Sequence, residues 1–114
     1  MNYSEGYFIE EGKVRTIVRT HKSLRLSANT LAVEVFASKT SITITLPKAV
    51  QCAQQFLSVY VVSVPSGASV IVQPDPTDPA GTATYTLNAT NEYLLFYSDG
   101  TCWSVPSSYG AVAS

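Results

Sequence analysis

The sequence predicts an all-β domain, an antiparallel β-sandwich or barrel-like fold preceded by an N-terminal arm. Segments rich in Val, Ile, Thr, Tyr and Phe follow one another along the chain, and short strands spaced roughly 8–12 residues apart are the mark of sandwiches and barrels. Clusters of Pro, Gly, Ser and Asp separate them, which is turn chemistry. No helical segments alternate with the strands, so a parallel α/β architecture has no support.

The elements read as follows. In residues 14–19, Val14, Thr16 and Val18 alternate with Arg15, Ile17 and Arg19. Residues 24–26 and 31–36 continue the strand pattern. The clearest alternation is in 41–46, where Ile42, Ile44 and Leu46 share one face and hydroxyl residues the other. Pro47 ends that strand because proline cannot donate to a ladder. Only 48–55 reads as helical, for two turns at most. Strands then follow at 56–64, 69–73, 82–87, 93–98 and 101–105, with a loop at 74–81 that three prolines should stiffen and expose. Residues 1–12 form the arm, 13–106 the domain and 107–114 a small polar tail.

Asp99-Gly100 between apolar runs predicts a two-residue hairpin turn, since type I′ geometry needs positive φ at both positions. That register would pair Tyr97 with Cys102 and Phe96 with Trp103, giving a core face of Leu94, Phe96, Trp103 and Val105. Asp99, Gly100 and Trp103 are therefore structural residues. The opposite face carries Tyr93, Leu95 and Tyr97, where water would call for polar side chains. The 56–64 strand repeats this, with Phe56, Tyr60, Val62 and Val64 opposite Leu57, Val59 and Val61. The second apolar surface is either the interior of a sandwich or a subunit interface. The interface is favoured in so short a chain, with Tyr60, Tyr93, Leu95 and Tyr97 as its residues.

Charge adds a second clue. Charged residues are 13% of the chain, against about 25% in typical soluble domains, and a surface so short of charge suits a protein that is partly covered by a partner. Residues 1–48 hold all seven bases and four acids, for +3, whereas residues 49–114 hold four acids and no base, for −4. Two ends facing different surroundings would produce this asymmetry. Arg15, Arg19, Lys22 and Arg25 then become candidates for docking on an acidic protein surface. The arm adds the apolar triplet Tyr7, Phe8 and Ile9, which would pack on a partner or on its own domain.

Other classes find little. His21 is the sole histidine, and one histidine with two distant cysteines cannot supply the roughly four ligands of a zinc site. Glu10-Glu11 and Asp75 with Asp78 sit in turn-like or terminal contexts where nothing would raise a carboxyl pKa for acid–base work. No phosphate loop or nucleophile elbow is present. No catalytic residue, metal or cofactor is expected, and the net charge of −1 argues against a nucleic-acid partner. No apolar run is long enough to span a bilayer, and the polar start Met1-Asn2-Tyr3-Ser4-Glu5 is unlike a secretory signal. Cys52 and Cys102 read as small buried hydrophobes of a reducing compartment.

From residue 41 to 105 the order of features resembles a β-module of tailed-bacteriophage virion proteins, of the capsid decoration (cement) and head-fibre type. An alternating strand ends in Leu46-Pro47, and a short Ala/Gln segment and a long apolar strand follow. Next come the Pro65-Ser66-Gly67 turn, Val70-Ile71-Val72, the Pro/Asp/Gly loop and Tyr85-Thr86-Leu87. The closing hairpin is Ser98-Asp99-Gly100-Thr101-Cys102-Trp103. The chain departs from the pattern at Gln54-Gln55, where a glycine-led turn and a basic residue are usual. The resemblance implies an antiparallel β fold, commonly a homotrimer, with no catalytic residues. The expected function is a non-enzymatic decoration protein, made in the host cytoplasm and bound to the major capsid protein on the virion surface. The alternative is a receptor- or carbohydrate-binding module of a fibre or tail tip.

Overall fold

The computed structural model describes residues 3–10, 13–38, 40–78 and 83–114, with backbone alone for 3–10, 13 and 14. The chain is nearly all β and folds as two packed sheets. Eleven strands are described: β1 Tyr3–Glu10, β2 Lys13–Thr20, β3 Leu24–Arg25, β4 Thr30–Phe36, β5 Ile42–Thr45, β6 Gln55–Ser63, β7 Val70–Gln73, β8 Tyr85–Leu87, β9 Tyr93–Ser98, β10 Trp103–Tyr109 and β11 Val112–Ala113. The segment read as helical is one 3-10 turn, Ala49–Cys52.

The first sheet has the order β1-β2-β4-β6-β9-β10 and the second β11-β8-β7-β5-β3. From β2 to β7 the chain alternates between them, like three turns of a coil. Each turn therefore pairs parallel with the last: β2 with β4 and β4 with β6 in one sheet, β3 with β5 and β5 with β7 in the other. The remaining strands return antiparallel. The sheets are thus mixed, which corrects the antiparallel expectation. Parallel neighbours need a long crossover, commonly a helix; here a strand of the opposite sheet serves as the crossover.

The core is what strand alternation dictates. Val33 and Val35 of β4, Leu57, Val59 and Val61 of β6, and Leu94 and Phe96 of β9 face Ile42 and Ile44 of β5, Val70 and Val72 of β7, and Leu87 of β8. Trp103 and Leu46 complete it. Placing every second residue inward lets one sheet bury aliphatic side chains against the other across roughly 10 Å.

Three local features depart from the sequence reading. The closing hairpin pairs Ser98 with Trp103 and Tyr97 with Ser104, so its loop has four residues, 99–102, rather than two. The Asp99 carboxylate explains this: Oδ1 accepts the amides of Thr101 at 2.8 Å and Cys102 at 3.0 Å. These bonds hold its pKa below the ordinary value. Gly100, at φ 95°, takes a conformation that L side chains resist. The slip of two positions keeps Phe96 and Trp103 on one face, because side chains repeat every second residue. A bulge then intervenes between Ser104 and Ser107, and Val105 is only partly buried against the core.

The chain ends also differ. Backbone pairing of β1 with β2 runs the whole length of both strands, so residues 3–10 of the segment read as an arm form an edge strand. The boundary drawn at residue 106 falls inside β10, and β11 extends the second sheet beside β8.

Gln54 has a φ of 62°, and its N–H donates to Ser98 O at 2.8 Å. A non-glycine residue pays about 1 kcal/mol or more in this left-handed region. Gln54→Gly is therefore expected to stabilise the fold by about 0.5–1 kcal/mol, after the greater unfolded-state freedom of glycine is deducted. Urea denaturation checks it, with a higher midpoint at unchanged slope as the expected result.

Candidate functional site

The outward face of the first sheet is the largest feature that packing inside the domain does not explain. Alternation that sends Leu57, Val59 and Val61 inward sends Phe56, Ser58 and Tyr60 outward, and β9 does the same with Tyr93, Leu95 and Tyr97. Strand register aligns them into rows. One row runs Arg19, Glu34, Tyr60, Tyr93, Tyr109 across five strands. A second runs Ile17, Ala32, Ser58, Leu95, Ser107, and a third begins Phe56, Tyr97, Ser104.

Among the described residues, β6, β9 and β10 carry no charged side chain on this face. Phe56 is 48% exposed, Tyr60 36% and Tyr109 62%; Tyr93, Leu95 and Tyr97 are half-buried by their neighbours. Phe56 and Tyr97 lie ring against ring at 4.8 Å. Two of the hydroxyls are partnered: Tyr93 with Ser107 Oγ on the face at 3.0 Å, and Tyr60 with Asn91 Oδ1 of the turn before β9. These contacts hold the rings in place ahead of any binding event. The charged end of the first row is internally neutral, since Arg19 Nε meets Glu34 Oε1 at 2.5 Å.

The outward face of the second sheet is different in kind. Its rows are Thr45 beside Gln73, and Thr43, Ile71, Thr86 and Val112 across four strands, and Gln73 Nε2 donates to Thr45 Oγ1 at 3.2 Å. Threonines and an amide can stay wetted at little cost, and Thr86 separates the two aliphatic residues Ile71 and Val112, whereas a contiguous row of aromatic rings marks an interaction surface. Tyr60, Tyr93, Leu95 and Tyr97, expected to share an interface, do lie together. Phe56 and Tyr109 join them. Tyr109 lies in the segment read as a small polar tail, and the β10 bulge between Ser104 and Ser107 breaks the alternation that would carry the strand to it.

The basic docking residues separate. Arg15 is 3% exposed, and its guanidinium donates to Thr30 O at 2.6 Å, Phe56 O at 2.9 Å and Asn29 O at 3.3 Å. It closes the start of β4 and is not available to a partner. Arg25 Nη1 is paired with Asp75. Lys22 is exposed, with no acidic partner among the described residues. The triplet Tyr7, Phe8 and Ile9 is placed by backbone register alone, opposite Thr16, Arg15 and Val14; its side chains lie outside the described residues.

Asp75 was expected in an exposed loop and is instead buried. Its Oδ1 accepts Thr77 Oγ1 at 2.6 Å and the Thr77 amide at 2.8 Å. These bonds, with Arg25 beside it, bring its pKa from 3.8 to about 2. A folded-state pKa below the unfolded one stabilises above the unfolded value and loses that contribution as pH falls through the folded value. Stability should therefore decline between about pH 4 and 2. An NMR titration of the Asp75 carboxyl should show a midpoint near 2, and Asp75→Asn should flatten that part of the stability profile.

Cys52 packs in the core with Sγ 3.7 Å from Ala28 O, and burial pushes its thiol up to about 11. It is a poor nucleophile at neutral pH. Among the described residues no cluster of three His, Cys, Asp or Glu side chains stands ready to hold a metal. No described helix is long and apolar enough to cross a membrane. No family model matches the sequence, and no curated protein is significantly similar to it.

Proposed function

We propose that the protein is a bacteriophage capsid decoration protein, which self-associates through the outward face of its first sheet and docks on the head shell. The observation that carries this reading is the uncharged aromatic face of β6, β9 and β10. The domain's own second sheet does not cover it, and the other outward face is lined mostly by threonines and Gln73, with Ile71 and Val112 as its aliphatic members. The resemblance of residues 41–105 to virion β-modules supplies the setting, and a homotrimer is the expected assembly. Lys22 supplies the charge for an acidic shell surface, whereas Arg19 and Arg25 are already paired with Glu34 and Asp75. Arg15 has no part in docking. A subunit that binds only the assembled shell stabilises it by mass action.

Light scattering on a sizing column tests the first half. A mass near three times 12.2 kDa is expected, falling to the protomer mass in Tyr93→Lys, whose ammonium would be buried without a partner. A native monomer that Tyr93→Lys leaves unchanged would end the self-association reading. The second half is tested on undecorated shells, which should gain thermal stability on adding the protein.

The same face supports a second reading. Flat aromatic rings flanked by hydroxyls suit the apolar face of a sugar, as in a receptor-binding module of a fibre or tail tip. A glycan array decides between them: saturable binding lost in Tyr109→Ala and Phe56→Ala would replace the decoration reading. The carboxylate of the Asp75 turn is already engaged by Thr77 and Arg25.

A further inference from the structure

Without β1, the two sheets correspond strand for strand: β2-β4-β6-β9-β10 in one matches β3-β5-β7-β8-β11 in the other. Each matched pair is joined by a short corner of the chain. Among the described residues β1 is the strand with no counterpart, so the second sheet stops one strand short at β3. That edge is itself stunted. β3 has only two residues, Leu24 and Arg25, against eight in β2 above it.

A cleft of about 240 Å³ lies there. Thr16 and Val18 of β2 form one wall and Leu24 and Leu26 the other, with Thr30 at its base and Lys22 at the corner. Leu26 N–H donates to Thr45 O at 2.9 Å, so the ladder to β5 runs through Leu24 and Leu26. By strand alternation the peptide N–H and C=O of Arg25 point to the open side. Lys22 is exposed, and its backbone is fixed by Thr20, whose hydroxyl donates to Lys22 O at 2.8 Å.

We propose that an extended strand from a partner adds to the free edge of β3 beneath β1 and completes the second sheet. It would bring aliphatic side chains at alternate positions to fill the cleft, and a carboxylate to meet Lys22. Edge addition gives affinity through main-chain bonds and specificity through pockets for alternate side chains. The charge requirement selects a foreign acidic strand over a second copy's β11, because residues 106–114 contain no acid. This deepens the docking reading, on which it rests only for the source of the strand.

The test uses two capped nonapeptides that alternate valine and threonine, one ending in glutamate at both ends and the other in lysine. Each is titrated into ¹⁵N-labelled protein. The glutamate peptide should saturably shift the amides of residues 22–27 and protect the Arg25 amide from exchange. The lysine peptide should bind about threefold more weakly or worse, the scale of a cross-strand charge pair. Lys22→Glu should reverse the order, and Leu24→Arg should abolish binding with the remaining amide spectrum intact. Equal affinity for both peptides, or no shift at millimolar concentration, would overturn the proposal. So would shifts at 22–27 that grow with protein concentration alone, which would give the cleft to a second copy. Peptide binding by a protein that ignores phage shells would keep the cleft and remove the capsid as its source.

Discussion

Trp103→Ala should destabilise the domain by about 3–5 kcal/mol, the range for deleting a buried tryptophan side chain. Two losses combine. The first is packing: Trp103 is buried and meets Phe96 edge to face at 6.1 Å, and Phe96 meets Tyr85 in the same way at 6.0 Å. That chain of rings joins β10 and β9 of one sheet to β8 of the other, so its removal opens a cavity between layers. The second is polar. Trp103 Nε1 donates to Pro47 O at 2.9 Å, a buried bond that ties β10 to the corner after β5. Trp103→Phe keeps a ring but removes the donor, and should cost about 1–3 kcal/mol, the penalty for an unsatisfied buried group. Circular dichroism in urea is the suitable probe, since the protein has a single tryptophan. Domains of this size hold only about 5–15 kcal/mol in all, so the alanine variant should melt more than 10 °C below the wild type. A loss under 1 kcal/mol would mean that Trp103 is a rim residue, and the two sheets would need another explanation for their cohesion.

Most strands were legible because their chemistry is local. Ile42, Ile44 and Leu46 alternate with threonines, and this pattern needs no knowledge of partners to be read as half-buried. The same holds for Leu57, Val59 and Val61, whose outward neighbours Phe56 and Tyr60 announced a second apolar face. What a strand pairs with is not local. Nothing in β4 or β6 says that their ladder is parallel; that follows from β5 crossing to the other sheet between them, and β5 looks the same either way. The absence of helices pointed to hairpins only on the premise that crossovers are helical.

The hairpin register failed for a reason that can be named. Asp-Gly is a turn signal, yet Asp99 has a carboxylate that can reach forward, and by capping two amides it lengthens the loop to four residues. The Ser104–Ser107 bulge compounds the shift, and Tyr109 then enters the aromatic row by a route that alternation alone cannot reveal. The candidate face was therefore readable for the four residues on β6 and β9 and unreadable on β10. The cleft beside β3 was invisible, because it exists only through the unequal number of strands in the two sheets.

Arg15 shows best why a charged residue in a sequence is not yet a surface residue. The alternation Arg15, Ile17, Arg19 puts it on the outward side of β2, and Arg19 does end there, paired with Glu34. Arg15 differs by its place along the strand. β2 runs beyond the first residues of β4, so the guanidinium can pass the start of β4 and reach β6, donating to Thr30 O and Phe56 O on the way. A planar group with five donors can satisfy several carbonyls at once, which lysine cannot. Hydrogen bonds from a charged donor contribute about 1.5–3 kcal/mol each. Arg15→Met, which keeps the apolar stem but leaves those carbonyls unpaired, should therefore cost about 3 kcal/mol. Arg15→Lys should recover less than half of that. Lys22→Glu should leave stability unchanged within about 0.5 kcal/mol, as expected for an exposed substitution. The contrast separates structure from docking. If Arg15 holds the fold, Arg15→Met lowers the urea midpoint, and in mild conditions its folded fraction binds shells as the wild type does. Full stability combined with lost shell binding would instead return Arg15 to the docking surface, and the carbonyls at the start of β4 would then need no cation at all.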